Sequence, residues 1–166
     1  MSLWVTPSNS TNARGMFLIG ALSANGASIA AGAGSTSYYL YLYRAWAQEA
    51  VGPFTLANGV RAHLVITLNV STKAYIVYVN SAVVLSGTAT NTFLPPQDNL
   101  TVGYNTYFTQ YYPGTLDEFR IYSRALAPEE IAYLYTNPGG PQAGTVYADQ
   151  IYAGAITAKL AEISNL

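Results

Sequence analysis

The chain has 166 residues, enough for one domain with a real core and too few for two ordinary domains plus a tail. Only 9% of them are charged and the net charge is -1, so there is no basic surface to neutralise a phosphate backbone, which argues against nucleic acid as a partner. The absence of cysteine removes disulfides and thiolate metal sites, and no stretch reaches the roughly 18 uninterrupted apolar residues that membrane insertion needs.

The first residues already read as a strand, through Trp4-Val5-Thr6-Pro7-Ser8, with no basic region ahead of them. No signal peptide is expected, so the chain is either a fragment or exported without such a signal. Further strands are expected at 15–20, 37–43, 61–69, 73–79, 82–86, 100–104 and 114–122. The stretch 26–37, rich in Ala, Gly and Ser, fits either a flexible loop or a strand of small side chains. Turn chemistry separates the runs, at Asn25-Gly26, Gly52-Pro53, Asn58-Gly59, Pro95-Pro96 and Pro113-Gly114. Tyr38 to Tyr43 is apolar on both faces, as in a central strand or one whose outer face another subunit covers.

One helix follows the last strand. Pro128 suits its first position, Glu129 and Glu130 suit the positive end of its dipole, and Ile131, Leu134 and Tyr135 make an i, i+3, i+4 stripe. Asn137-Pro138-Gly139-Gly140 ends it. Many short strands and a single helix predict an all-β fold, an antiparallel β-sandwich, over residues 1–138. Residues 139–166 are expected to be a linker and an extended C-terminal arm.

Chemistry-bearing residues are few. The single histidine, His63, lies in a predicted strand on the side of Val65 and Thr67 and reads as a packed structural imidazole. Asp117 and Glu118 are neighbours on a strand, so they point to opposite faces and cannot act as a facing carboxylate pair. Leu116, Glu118, Arg120 and Tyr122 share one face; Asp117, Phe119 and Ile121 share the other, which predicts a partly buried Asp117. No nucleophile elbow, zinc-protease motif or phosphate loop is present, and the chain is expected not to be an enzyme. Fifteen tyrosines against five phenylalanines suit half-wet surfaces. Either they coat a sandwich that has few charges, or some line a sugar or subunit interface. Asn-x-Ser/Thr triplets at Asn9, Asn69 and Asn99 matter only in a host that glycosylates exported proteins.

Gly114 to Tyr135, GTLDEFRIYSRALAPEEIAYLY, resembles the closing strand and helical turn of the laminin-G-like, concanavalin A-like jelly-roll family. His63 to Asn69 and Tyr75 to Asn80 resemble the family's central hairpin, Trp4 to Ser8 its early strand and Leu100 to Gly103 a later one. These anchors span roughly residues 3–136 in the family's order. Departures are Arg61 where the family often has Trp, Ser81 where its turn has Gly, and Ala127 where its helix has a capping Ser. An edge strand that precedes Trp4 in many members is also missing. The resemblance implies jelly-roll connectivity, and it makes Asp117 a candidate ligand for structural calcium, with hydrogen-bond stapling of the loop as the alternative. No cofactor is required.

Val146 to Ala158 is similar to segments that recur in phage tail and tail-fibre proteins. Ile151, Ile156, Leu160, Ile163 and Leu166 form an apolar series that a lone tail cannot bury, so they are the expected oligomerisation residues. The leading expectation is therefore a non-enzymatic structural or adhesion protein of a phage or prophage tail. It would form a homo-oligomer or join neighbouring virion tail proteins, bind host-surface carbohydrate, and be found on a virion or outside the cell. The alternative is a carbohydrate-binding module of a secreted glycosidase or bacterial adhesin, with Tyr104, Tyr107, Tyr111 and Tyr112 as glycan-stacking residues.

Overall fold

The computed structural model describes residues 1–9, 14–20, 25–31, 35–44, 47–90, 100–105 and 110–139. Among these residues, twelve strands and one helix occur in the order β1 (Ser2–Pro7), β2 (Arg14–Gly20), β3 (Asn25–Ala31), β4 (Ser37–Arg44), β5 (Ala47–Thr55), β6 (Ala62–Leu68), β7 (Ala74–Val79), β8 (Ala82–Thr88), β9 (Leu100–Val102), β10 (Tyr104–Asn105), β11 (Gln110–Tyr111), β12 (Gly114–Arg120) and α1 (Pro128–Thr136). They build two five-stranded sheets, ordered β12-β1-β6-β7-β8 and β5-β4-β3-β2-β9, and a small β10-β11 hairpin. Every pairing is antiparallel.

Alternation in the sequence decides which side chains enter the core. Leu3 and Val5 of β1, Leu64 and Ile66 of β6, Tyr75 and Val77 of β7, and Tyr38, Leu40 and Leu42 of β4 are buried together between the sheets. Each such side chain contributes roughly 1.5–3 kcal/mol by leaving water. The in-between residues of the first sheet, Val65, Ile76 and Tyr78, face outward. There they meet Ile131 and Leu134 of α1 together with Tyr122 and Leu126. The helical stripe thus covers the outer face of one sheet.

Three expectations change. Of the small-residue stretch, the part up to Ala31 lies in β3, whose Asn25 and Gly26 pair with Arg44 and Tyr43 and so start a strand where a turn is expected. Gly52 and Pro53, read as a break, lie within β5, where their cis peptide coincides with a register shift against β4. The period-two reading of β12 fails at Glu118, whose φ of 49° accompanies an extra residue opposite β1: Trp4 pairs with Asp117, and Ser2 pairs with Arg120. The bulge turns Leu116 and Phe119 to the same core, although alternation assigns them to opposite faces.

Helix α1 starts without a side-chain cap on Ala127. Instead the Glu130 carboxylate accepts the Ala127 N–H at 2.8 Å and the Arg124 guanidinium at 2.6 and 2.7 Å. These bonds hold the Glu130 carboxyl at about 2, with Arg124 the larger cause and the Ala127 N–H next. Asn137 closes the other end, its N–H and its side-chain amide both donating to the Tyr133 carbonyl. Among the described residues no helix is long and apolar enough to cross a membrane, which leaves β-barrel spanning unaddressed.

Candidate functional site

After β9 the chain turns at Gly103, whose φ of +75° suits a residue without a Cβ. Its N–H donates to the Met16 carbonyl at 2.8 Å, and its carbonyl accepts the Tyr112 N–H at 2.7 Å. The β10-β11 hairpin is thereby pinned beside β2, with Tyr104 opposite Tyr111 and Asn105 opposite Gln110. The two tyrosine rings lie 5.0 Å apart, centroid to centroid, at 49°. Tyr111 is 80% exposed, so one whole ring face is open to solvent. Tyr104, half-buried, supports it.

Of the other stacking candidates, Tyr112 is corrected. Just past the end of β11 it turns inward and is buried in the main core, while its neighbour Tyr111 faces solvent. Its ring lies so close to Gly114 that a Cβ there would sit 2.7 Å from it. Tyr107 lies outside the described residues, as do Ile151, Ile156, Leu160, Ile163 and Leu166. A second tyrosine pair, Tyr39 and Tyr41, occupies the outward side of β4 with centroids 6.0 Å apart. Burial, and then the Tyr39 hydroxyl, push the Tyr41 phenol up. The two-faced apolar pattern of this strand is the sequence signal for that pair.

A different cluster sits where α1 covers the first sheet. His63 pairs with Trp4 across β6 and β1, and their rings are 5.1 Å apart. Tyr135 of α1 stacks over both, at 5.9 Å from Trp4 and 6.3 Å from His63. The Arg61 guanidinium lies 4.3 Å from the Trp4 ring centroid on this group and bonds Asp117 at 3.0 Å. His63 is 2% exposed, and burial lowers its pKa to about 4, with Glu118 opposing the shift and Arg120 adding to it. A neutral, enclosed imidazole is a packing element and a poor general base.

Asp117 also departs from expectation. Its side chain is 62% exposed, where partial burial is predicted, because the β12 pairing directs it to the rim beside Arg61. One oxygen accepts from Arg61 and the other from the Glu118 N–H. A guanidinium at that distance competes with calcium for the same carboxylate. No group of three or more His, Cys, Asp or Glu able to hold a metal occurs among the described residues. Both Asp117 oxygens are thus engaged by groups of the protein, the kind of bonding that stapling of the loop requires. Glu118 turns away and pairs with Arg120 at 3.0 Å, so the two adjacent carboxylates do not converge.

The chain belongs to the concanavalin A-like lectin/glucanases superfamily, whose laminin-G-type family model matches residues 1–132. No match was found among curated proteins. Domain 4 of AbnA, an extracellular arabinanase from Geobacillus stearothermophilus solved with arabinotriose, is 24% identical with a TM-score of 0.66, over 81% of this chain and 64% of that one. The sialidase module CBM40 of Ruminococcus gnavus, bound to α2,3-sialyllactose, is 10% identical with a TM-score of 0.61, over 81% and 80%. The heptameric SAP-like pentraxin of Limulus polyphemus is 11% identical with a TM-score of 0.61, over 81% and 67%. At these identities the likeness is one of fold, an antiparallel jelly-roll sandwich with one short helix.

Proposed function

We propose that this chain is a non-catalytic carbohydrate-binding module acting outside the cell, with Tyr111 and Tyr104 as its sugar-stacking platform. The observation that carries the reading is the hairpin itself. It holds an aromatic ring 80% in solvent, braced by a second ring at 5.0 Å and anchored by backbone bonds to a rigid sandwich. An exposed ring so placed has little to contribute to the core and offers the flat apolar face that sugar C–H groups stack on. Fold relatives solved with arabinotriose and with sialyllactose lend support, as proteins of the same architecture with bound sugar.

The phage-tail reading draws its support from the Val146 to Ala158 segment alone, which lies outside the described residues. The module reading is therefore preferred. Its test is a glycan array on the full chain, followed by titration calorimetry of the best ligand with Tyr111→Ala and Tyr104→Ala. Loss of one stacking ring is expected to weaken binding roughly tenfold, the equivalent of about 1.4 kcal/mol. Silence on the array, or unchanged affinity in both variants, defeats the proposal.

A further inference from the structure

Each sheet of the sandwich has two edges, and the four are not equally protected. Unpaired edge backbone is a template for another strand, and proteins usually blunt it with charge, proline, bulges or brevity. The β12 edge carries Asp117, Glu118 and Arg120 and is bent by the Glu118 bulge. The β5 edge carries Glu49 and Pro53. The β9 edge is three residues long and is followed at once by the hairpin.

The β8 edge differs from all three. It runs seven residues, Ala82–Thr88, with neither charge nor proline, and no charged residue occurs anywhere between Lys73 and Asp98. No described strand pairs with its outer side. Leu85 alone reaches the core, while Val83 and Val84 are 57% and 41% exposed. A bulge at Val84, where Val77 pairs with Leu85 and Tyr78 with Val83, leaves Leu85–Thr88 as the regular stretch.

We propose that β8 is a homodimer interface, pairing antiparallel with β8 of a second copy across a two-fold axis near Ser86 and Gly87. The first sheet then continues from one protomer to the next. A second copy is the occupant because an antiparallel pair of identical strands is self-complementary, and an uncharged edge meets itself with no like-charge repulsion. Any partner relying on charge for recognition finds none here. The dimer carries two Tyr104/Tyr111 hairpins, so weak contacts add on a multivalent surface.

The test is light scattering and sedimentation on the full chain over a wide concentration range, for wild type, Ser86→Lys and Val83→Lys. Both positions are exposed, and an unchanged thermal midpoint at low concentration checks that the monomer fold persists. Wild type is expected to approach twice 17.8 kDa as concentration rises. Ser86→Lys sets two ammonium groups against each other at the axis, and a loss of self-association of about tenfold or more is expected. Amide exchange should slow at Leu85–Thr88 in the wild-type dimer alone. A wild type that stays monomeric overturns the proposal. So does an oligomer that both lysine variants leave intact, which would assign assembly to another segment. Neither result depends on whether a glycan binds.

Discussion

His63 makes the most quantitative prediction. Its ring is enclosed by Trp4 and Tyr135, and burial takes its pKa from an ordinary 6.5 to about 4. In the unfolded chain the imidazole takes up a proton as pH drops through 6.5, whereas the folded chain refuses it until about pH 4. Between those values the unfolded state binds more protons, so stability falls as pH falls. The slope approaches 1.4 kcal/mol per pH unit, and the whole interval is worth about 3 kcal/mol. The window from pH 6.5 to 4.5 is where the folded and unfolded chains differ most in His63 protonation. Urea unfolding of the full chain at pH 7, 6, 5 and 4.5 measures it, with His63→Gln as the control that removes the titrating group. Wild type should lose roughly 2 kcal/mol over this window beyond any loss in the variant. As the chain has one histidine, its ring resonances can be followed directly by NMR. A measured pKa at or above 6.5, or equal slopes in wild type and variant, refutes the reasoning.

Three further outcomes follow from single positions. Ala127→Ser supplies the missing side-chain acceptor at the start of α1 while Glu130 keeps its bond to the backbone, and chemical denaturation should show a gain of about 1 kcal/mol. No gain would mean that the Glu130 contact already satisfies the first turn. Asn80 and Ser81 both adopt positive φ, 52° and 65°, in the two-residue turn joining β7 to β8; Ser81→Gly relieves the side chain there and should add roughly 0.5–1 kcal/mol by the same assay. Tyr112→Ala should cost about 3 kcal/mol or more by opening a core cavity, whereas Tyr111→Ala should leave stability within about 0.5 kcal/mol. Equal costs for the two would contradict the assigned orientation of β11 and the loop after it.

Local patterns in the sequence were sufficient wherever one rule governed a segment. The inward residues of β4, β6 and β7 follow from alternation, and α1 follows from Pro128, two acids and an apolar stripe, since a face that repeats at the right period has only one way to be buried. The family resemblance placed these pieces in a jelly roll, as the match over residues 1–132 bears out. Long-range pairing decided the rest. β5 was missed because Gly52-Pro53 reads as a turn until β4 is laid beside it and absorbs the irregularity as a register shift. Asp117 read as half-buried because the bulge at Glu118 exists only relative to β1, and Arg61, 56 residues away, reaches it only once β1 and β6 are paired. Tyr111 and Tyr112 are indistinguishable as residue types. One is exposed and the other is part of the core because the Gly103 carbonyl holds the Tyr112 N–H and so fixes how the chain leaves the hairpin.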